Sequence, residues 1–398
     1  MVKQPTIPTA NAPSQTGLRI LQIIWWGELG GIALNLVDLV GHIRASGHTI
    51  DICVIQRSSS LIDSLAGQDV RVTEIRARSG LDVCALLRFC RFLRQNSFDI
   101  IHNHAISFLV TVGIALAGKH AGKVCHEHGS IRQHYRGAKR LVFYRMCRSA
   151  YHRFVAVSNA TAEDLAWAGV PPGRVIVIAN PVDTRAFAPN ICRASAKERL
   201  GIPGSVQTVG TACRFAPEKD LPLFLEVAAI IAAVRRDVRF VMVGAGAQRE
   251  RLRKRVAALN LAETVHFAGL RTDMPTVWRA FDIYLFTSIF ETFGRTLLES
   301  VSSETPVVAA VPLEGGAIDL VHQSPGILTV EDRDPQRLAA QVLRLLDSPG
   351  ERDEIGRLGR LWATEHYDVV LWAEILERFY ASLHCSRERG PGATEKAG

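Results

Sequence analysis

Two carboxylates, Glu291 and Glu299, have the residue type and spacing to bind a hydroxyl-rich ligand, because carboxylate oxygens accept hydrogen bonds. Short apolar runs at 283–286 and 306–310 flank them and are typical of buried strands. The residues between these runs predict one helix, with Glu291 in the loop before it and Glu299 on the helix itself. Parallel sheets bind ligands at the carboxyl ends of their strands, so the pattern predicts a ligand site there.

Two cations form a second candidate group. Arg214 and Lys219 stand five residues apart, after a predicted strand at 206–211 and before a predicted helix. In such a loop both side chains can converge on a diphosphate, and the helix N-terminus adds its partial positive charge. A plain surface loop is the alternative when these residues are taken alone.

A glycine-rich loop that ends in Gly30 and Gly31 follows the apolar run 18–25 and precedes an amphipathic helix. Backbone N–H groups at a helix N-terminus bind phosphate or the polar edge of a substrate. A tight turn is equally consistent with these residues. The spacing is not Gly-x-Gly-x-x-Gly, so the sequence predicts no nicotinamide cofactor.

Histidines end two of the predicted strands, as His102 and His104 on one and His126 and His128 on the next. Alternate residues of a strand face the same way, so each pair offers two metal ligands. A zinc site needs a defended fourth position, and nothing else in the sequence supplies one. The sequence therefore predicts no metal, and a structural role at the strand ends is the alternative.

The elements that position these side chains alternate between strand and helix along most of the chain, which predicts parallel sheets wound with helices. With 398 residues and 47% hydrophobic content, the chain is long enough for two sizeable cores. The predicted strands lie at 18–25, 49–55, 70–75, 98–103, 123–127, 154–157, 206–211, 238–243, 283–286 and 306–310.

Basic residues are concentrated between 130 and 153, where seven cations occur without an acid and alternate with apolar side chains. They are Arg132, Arg136, Lys139, Arg140, Arg145, Arg148 and Arg153. This pattern is typical of a basic amphipathic helix. The net charge of +8 also fits an anionic partner. No nucleic-acid module accompanies the stretch, so nucleic acid is not the predicted partner. A solvated helix face and an anionic membrane surface both remain open from these residues alone.

Cysteine usage and apolar run lengths bear on the compartment. The eight cysteines are scattered without Cys-x-x-Cys spacing, which predicts a reducing cytoplasm. Residues 1–16 lack an apolar segment and predict a disordered leader in place of a signal peptide. The longest uncharged apolar run, 105–118, is shorter than the roughly 20 residues that span a bilayer, so no transmembrane helix is predicted.

The chain resembles the retaining glycosyltransferases of family 4, which have the GT-B fold. Their signature of Glu, seven residues and Glu, with Phe-Gly near the first Glu, is matched by Glu291, Phe293, Gly294 and Glu299. The resemblance implies an α/β fold of two facing Rossmann-like doubly wound domains with an interdomain cleft. The expected domains are 17–185 for the acceptor and 186–365 for the nucleotide sugar, with a helix at about 366–385 that packs back on the first domain and a disordered tail at 386–398.

The resemblance also implies roles for individual residues. Arg214 and Lys219 would bind the leaving diphosphate, Glu299 the ribose hydroxyls, and Glu291 the sugar. Further family positions that would contact the donor or acceptor are Gly30, Gly31, His104, His128, Leu270, Phe293, Gly294, Gly315 and Gly316. His128 would contact the donor sugar, and Leu270 follows the strand that meets the nucleotide base. One departure is Glu304, which stands where family members place a glycine in the left-handed conformation.

The implied function is transfer of a sugar from a UDP- or GDP-linked donor, with retention and without a metal or other cofactor. The expected acceptor is a hydroxyl of a lipid-linked glycan or of a polysaccharide or lipopolysaccharide precursor. The expected location is the cytoplasm, peripheral on the cytoplasmic face of the membrane. A nucleotide-sugar epimerase of the same fold and a non-catalytic basic binding protein are the alternatives.

Overall fold

The computed structural model describes residues 17–27, 31–57, 60–134 and 138–388. The contacts within the chain divide it into two compact units. The N-terminal unit comprises Val2–Asn180 and Val369–Gly398, and the C-terminal unit comprises Pro181–Asp368. Both are α/β structures built on a parallel sheet, as the sequence predicts for a Rossmann-like GT-B protein.

Seven parallel strands form the sheet in the described part of the N-terminal unit. They are β1 (Arg19–Ile24), β2 (Thr49–Val54), β3 (Arg71–Glu74), β4 (Ile100–Asn103), β5 (Gly122–Glu127), β6 (Arg153–Ala156) and β7 (Val175–Val177). Their order is β3-β2-β1-β4-β5-β6-β7, so the direction of winding reverses between β1 and β4. Doubly wound sheets bind ligands beside such a reversal.

The helices of the N-terminal unit cover both faces of this sheet. They are α1 (Gly31–Ala45), α2 (Ser60–Ser64), α3 (Val83–Gln95), α4 (Phe108–Ala117), α5 (Ile131–His134), α6 (Ala138–Ala150) and α7 (Asn159–Trp167). In the sequence, Ser158 before Asn159 is typical of a helix start. Helix α7 does begin there, and the Ser158 hydroxyl accepts a hydrogen bond from the Thr161 N–H. Apolar side chains of α3, α4 and α6 form the core on one face, and those of α1 and α2 contribute to the core on the other.

The described C-terminal unit has a six-stranded parallel sheet in the order β10-β9-β8-β11-β12-β13. Its strands are β8 (Gln207–Ala212), β9 (Val238–Val243), β10 (Val265–Gly269), β11 (Ile283–Phe286), β12 (Val307–Ala310) and β13 (Ile327–Val330). Its helices are α8 (Arg193–Arg199), α9 (Leu221–Val234), α10 (Arg249–Ala258), α11 (Met274–Ala280), α12 (Arg295–Ser302), α13 (Ala317–Gln323), α14 (Pro335–Asp347) and α15 (Pro349–Tyr367).

The last helix, α16 (Val369–Glu388), belongs to the N-terminal unit and packs against α1 and β5. Leu376 and Tyr380 are completely buried there. The helix starts and ends later than the predicted 366–385, and Ser386 is helical. The expectation of disorder from 386 onward was therefore wrong for the first residues of the tail. The rest of the predicted tail and the predicted leader lie outside the described residues.

Glu304 has a positive φ of 54°, in the left-handed region that the resemblance predicted for this position. A side chain is costly in that conformation, so neighbouring groups must hold it. The Glu304 carbonyl accepts a hydrogen bond of 2.8 Å from Arg193, and Gly356 approaches the same carbonyl so closely that a Cβ there would lie 2.5 Å from it. These contacts hold the Glu304 backbone in place.

In the part of the chain that the structure describes, no helix combines the length and the apolar content needed to cross a bilayer.

Candidate active site

Lys219 and Glu291 form an ion pair that joins two loops at the carboxyl edge of the C-terminal sheet. Lys219 ends a 3-10 turn after β8, and Glu291 lies in the loop after β11. The Thr287 hydroxyl donates a 2.9 Å hydrogen bond to the Lys219 carbonyl, and the Ile289 N–H donates one of 2.8 Å to the Glu218 carbonyl. The two side chains are only 13% and 18% exposed, so their attraction is less screened than that of a surface pair.

Arg214 lies in the same loop as Lys219, but its surroundings differ. Its guanidinium is 73% exposed and donates a 2.8 Å hydrogen bond to Glu218, four residues further on. The pair predicted from the sequence is therefore asymmetric, with one partly buried cation and one exposed cation. An exposed ion pair contributes little to stability, which leaves Arg214 available to a ligand.

Glu299 lies on α12 and is 5% exposed. One carboxylate oxygen accepts a 2.8 Å hydrogen bond from Arg295, and the other accepts one of 3.1 Å from the Trp278 indole N–H. The sequence did not predict the Trp278 contact, because the two residues lie on different helices. The contact of Glu299 with a ribose stays a prediction.

Glycines allow the loops after β11 and β12 to touch. Gly315 has a φ of +104°, and a Cβ at this position would lie 2.0 Å from the Glu291 carbonyl oxygen. Gly294, with a φ of +93°, stands at the start of α12 beside Ala317. Any side chain at Gly315 would push the Glu291 loop away. The structure thus brings together Glu291, Gly294 and Gly315, with Phe293 and Gly316 adjacent in the chain.

Arg333 is a residue of this site that the sequence reasoning missed. Its side chain is 12% exposed and donates hydrogen bonds to the carbonyls of Thr287, Ser288 and Val311 and to the carboxylate of Asp220. It therefore joins the loops after β8, β11, β12 and β13. From the sequence alone, residues 332–334 indicate only a helix start with Asp334 as its cap, and Asp334 does cap α14.

We expect Arg333→Lys to lower the free energy of unfolding by about 2 kcal/mol, because a single ammonium cannot reach the acceptors that the planar guanidinium bridges. The measurement is urea unfolding. Arg337→Lys is the matched control, since Arg337 is 64% exposed and pairs only with Asp332 among the described residues. Equal, small effects of the two substitutions would show that the loops do not depend on Arg333.

The four histidines of the N-terminal unit cluster where β4 and β5 end. His102 and His126 are joined by a ring nitrogen contact of 3.1 Å, and His104 and His128 by one of 2.7 Å. The two pairs stack on each other, with ring centroids 4.4 Å apart for His102 and His104 and 4.0 Å apart for His126 and His128. His104 and His128, which the sequence singled out, are thus in direct contact.

These imidazoles are neutral at physiological pH. Burial lowers the pKa of His102 and of His128 to about 3, and at His102 the neighbouring His128 adds to the effect. Burial also lowers the pKa of His104 and of His126 well below its usual range. A charged imidazole here would lose its hydration and repel its neighbours.

A metal ion has candidate ligands in this cluster, because nitrogens of His102, His104 and His126 lie within 4.8 Å of one another. Neutral imidazole is the form that binds metal ions. The nitrogens that face each other already make hydrogen bonds, however, and an ion would have to break them. The absence of a metal therefore stays a prediction.

The remaining predicted residues are spread around the two sheets. Gly31 begins α1, whereas Gly30 lies outside the described residues. Leu270 follows β10 and is 77% exposed.

The basic stretch is partly described. Arg136 lies outside the described residues, and the side chains of Lys139 and Arg140 are not described. Arg145, Arg148 and Arg153 are exposed. Arg132 has an acidic partner from outside the stretch, because it pairs with Asp164 of α7 at 2.9 Å.

Two family models match the chain. The model of glycosyl transferases group 1 matches residues 193–362, and that of glycosyltransferase family 4 matches residues 29–186. The chain is similar to the D-inositol 3-phosphate glycosyltransferase of Kineococcus radiotolerans, with 25% identity over 83% of this chain and 85% of the relative. It is also similar to the GDP-mannose-dependent alpha-mannosyltransferase of Mycobacterium tuberculosis, with 27% identity over 86% of this chain and 94% of the relative.

Among solved structures, the chain resembles Alr3699/HepE of Anabaena, which was crystallised with UDP and glucose. The TM-score is 0.78 at 21% identity, and the match covers 92% of this chain and 100% of the other. The likeness establishes the fold.

Proposed function

Because the chain belongs to the glycosyl transferases group 1 family, we propose that it is a retaining transferase that moves a sugar from a nucleoside diphosphate to a hydroxyl acceptor. The observation that carries this proposal is the partly buried Lys219–Glu291 pair at the carboxyl edge of the C-terminal sheet, with Arg214 in the same loop. The relatives named above include a GDP-mannose-dependent enzyme and a structure with bound UDP, which supports a nucleotide-sugar donor.

In this proposal Lys219 and Arg214 bind the diphosphate and stabilise the negative charge that develops on it as the sugar leaves. Glu291 holds the Lys219 ammonium in place before the donor arrives and accepts hydrogen bonds from the sugar. Glu299 binds the ribose. His128 contacts the donor sugar, and the His104 ring lies 2.7 Å from the His128 ring.

A panel of nucleotide sugars tests the proposal. Each donor is incubated with the protein, and the products are separated. Slow hydrolysis of one donor, or transfer to an added acceptor, supports a transferase. Isomerised donor would instead indicate an epimerase, and no turnover with any UDP- or GDP-linked sugar would indicate a binding protein. Retention is read from the anomeric configuration of the product.

We expect activity to survive chelation, because Lys219 and Arg214 supply the positive charge that a metal gives to diphosphates in other enzymes. The measurement is the turnover rate with and without EDTA. Loss of turnover that is restored by magnesium or manganese would contradict the metal-free mechanism. Asp332 and Asp334 would then be the candidate metal ligands, although Asp332 pairs with Arg337 and Asp334 caps α14.

We also propose a lipid-linked or saccharide acceptor and a peripheral position on the cytoplasmic face of an anionic membrane. The described end of the basic stretch supports this. Arg148 and Arg153 lie near Arg174, whose pKa is lowered by burial and by these two charges. Such a cluster of cations attracts anionic lipid.

The cysteines, none of which forms a disulfide, are consistent with a reducing compartment.

Replacing Arg145, Arg148 and Arg153 with Gln should release the protein from anionic vesicles at low salt, because each cation near the surface contributes about 1 kcal/mol. Sedimentation with phosphatidylserine vesicles measures the bound fraction. The control replaces Arg251, Arg253 and Lys254 of α10 with Gln. These residues are also exposed, and their replacement removes the same charge. Equal release by both variants, or no binding of the wild type, would contradict the membrane surface. Phe143 packs against the core and Tyr144 is completely buried, so the expected binding rests on the cations.

A further inference from the structure

Six polar side chains behind the ends of β1, β4 and β5 form one continuous hydrogen-bonded chain. In order, they are His128, His104, Gln22, Tyr380, His102 and His126. We call this set the Gln22 chain. Gln22, His102, His126 and Tyr380 are at most 1% exposed. Water therefore has little access to these hydrogen bonds. Because each contact needs one donor and one acceptor, the proton position on one ring fixes the proton position on the next.

The amide of Gln22 sets the direction of one arm. Its Oε1 lies 2.8 Å from His104 Nε2 and can only accept, so His104 carries its proton on Nε2. His104 Nδ1 is then an acceptor. Because His128 Nε2 lies 2.7 Å from that acceptor, His128 also carries its proton on Nε2.

The other arm follows from the amide nitrogen. Gln22 Nε2 donates to the Tyr380 hydroxyl oxygen at 3.1 Å, so the Tyr380 proton points to His102 Nδ1 at 2.5 Å. His102 then carries its own proton on Nε2 and donates it to His126 Nδ1 at 3.1 Å. The chain ends at His126 Nε2, a buried nitrogen that has no partner among the described residues. With the Gln22 amide in this orientation, four neutral imidazoles are each protonated on Nε2.

We infer that Gln22 and Tyr380 are positioning residues that hold His128 in the Nε2–H form, so that its bare Nδ1 accepts a hydrogen bond from a ligand hydroxyl. This inference rests on the proposed contact of His128 with the donor sugar. An unprotonated ring nitrogen accepts a hydrogen bond from a hydroxyl group. It repels phosphate oxygens, because these atoms are also acceptors. The Gln22 chain therefore assigns a neutral, hydroxyl-bearing part of the donor to the space beside His128 Nδ1. The diphosphate is excluded from that space.

Nitrogen NMR of protein with labelled histidine rings tests the proton positions directly. In the wild type near neutral pH, we expect His128, His104, His102 and His126 each to show one protonated Nε2. Gln22→Met removes the amide that sets the direction, so His128 should show a mixture of the two neutral forms. The Michaelis constant for the donor should then rise about twofold or more, because only part of the population can bind.

Gln22→Glu is the rescuing variant. The introduced carboxylate only accepts hydrogen bonds, so one oxygen accepts from His104 Nε2, and His128 should keep the Nε2–H form and a donor Michaelis constant close to that of the wild type. Urea unfolding identifies variants that fail to fold. Because the NMR result on the wild type needs no variant, a poorly folding variant does not remove the test.

Four results would overturn the inference. The first is a wild-type His128 protonated on Nδ1, and the second is an unchanged His128 signal in folded Gln22→Met. The third is tight binding of zinc, added alone, with shifts of all the ring nitrogens, because the cluster would then be a metal site. If His128→Ala leaves the donor Michaelis constant unchanged, the sugar contact and the positioning role both fail. The activity measured on the donor panel does not depend on that outcome.

Discussion

Lys219→Ala should lower turnover by about a hundredfold or more, the effect expected when a preorganised group is removed from a charge that develops in the transition state. Lys219 is suited to this role because its ammonium is only 13% exposed and Glu291 holds it in place. Arg214→Ala should cost less, about tenfold or roughly 1.4 kcal/mol, because Arg214 is 73% exposed and its charge is screened by water and salt. The measurement is the steady-state turnover number with the donor identified on the panel.

The control for Lys219→Ala is Lys254→Ala, which removes the same charge from an exposed position on α10 of the same unit. Removing Lys219 also leaves Glu291 without its partner, so unfolding in urea must show that the variant is folded. A folded Lys219→Ala protein with nearly normal turnover would eliminate the diphosphate contact from the proposal. A loss that appears only in the Michaelis constant would place Lys219 in donor binding and not in the chemical step.

The protein should lose stability steeply as the pH falls below about 6.5, because the histidines of the Gln22 chain are buried and neutral in the folded state. Their folded pKa values are lowered, whereas the unfolded chain takes up protons near the ordinary histidine pKa. The unfolded state therefore binds more protons, and its stabilisation is about 1.4 kcal/mol per pH unit for each histidine. His102 and His126 are at most 1% exposed. These two histidines alone would lower the free energy of unfolding by on the order of 3 kcal/mol for each pH unit.

Urea unfolding at about pH 7.5, 6.5 and 5.5 measures this dependence. The variant for comparison is His126→Asn, because its side-chain oxygen can accept from His102 Nε2 without taking up a proton. It should show a shallower fall in stability with pH than the wild type. A wild-type stability that stays constant down to about pH 5.5 would contradict the neutral, buried state of the cluster.

The sequence by itself determined the local features of both units. The alternation of apolar runs predicted two parallel α/β sheets, because strands and helices have different periods of side-chain burial. Cap residues such as Ser158 and Asp334 were predicted correctly, since a cap depends on the backbone within three residues of it. The positive φ at Glu304 was predicted from the type of residue usual at that position.

Contacts between distant residues were decided only by the tertiary structure. Lys219 and Glu291 were both singled out, but their ion pair joins residues 72 positions apart. The contact of Gln22 with Tyr380 spans 358 positions and was not foreseen, and neither was the role of Arg333. Asp164 neutralises part of the basic stretch from another helix, which the absence of an acid within 130–153 did not reveal. Periodicity reports which face of an element is buried, whereas the order of strands in each sheet decides which loops meet, and that order depends on the packing of the whole unit.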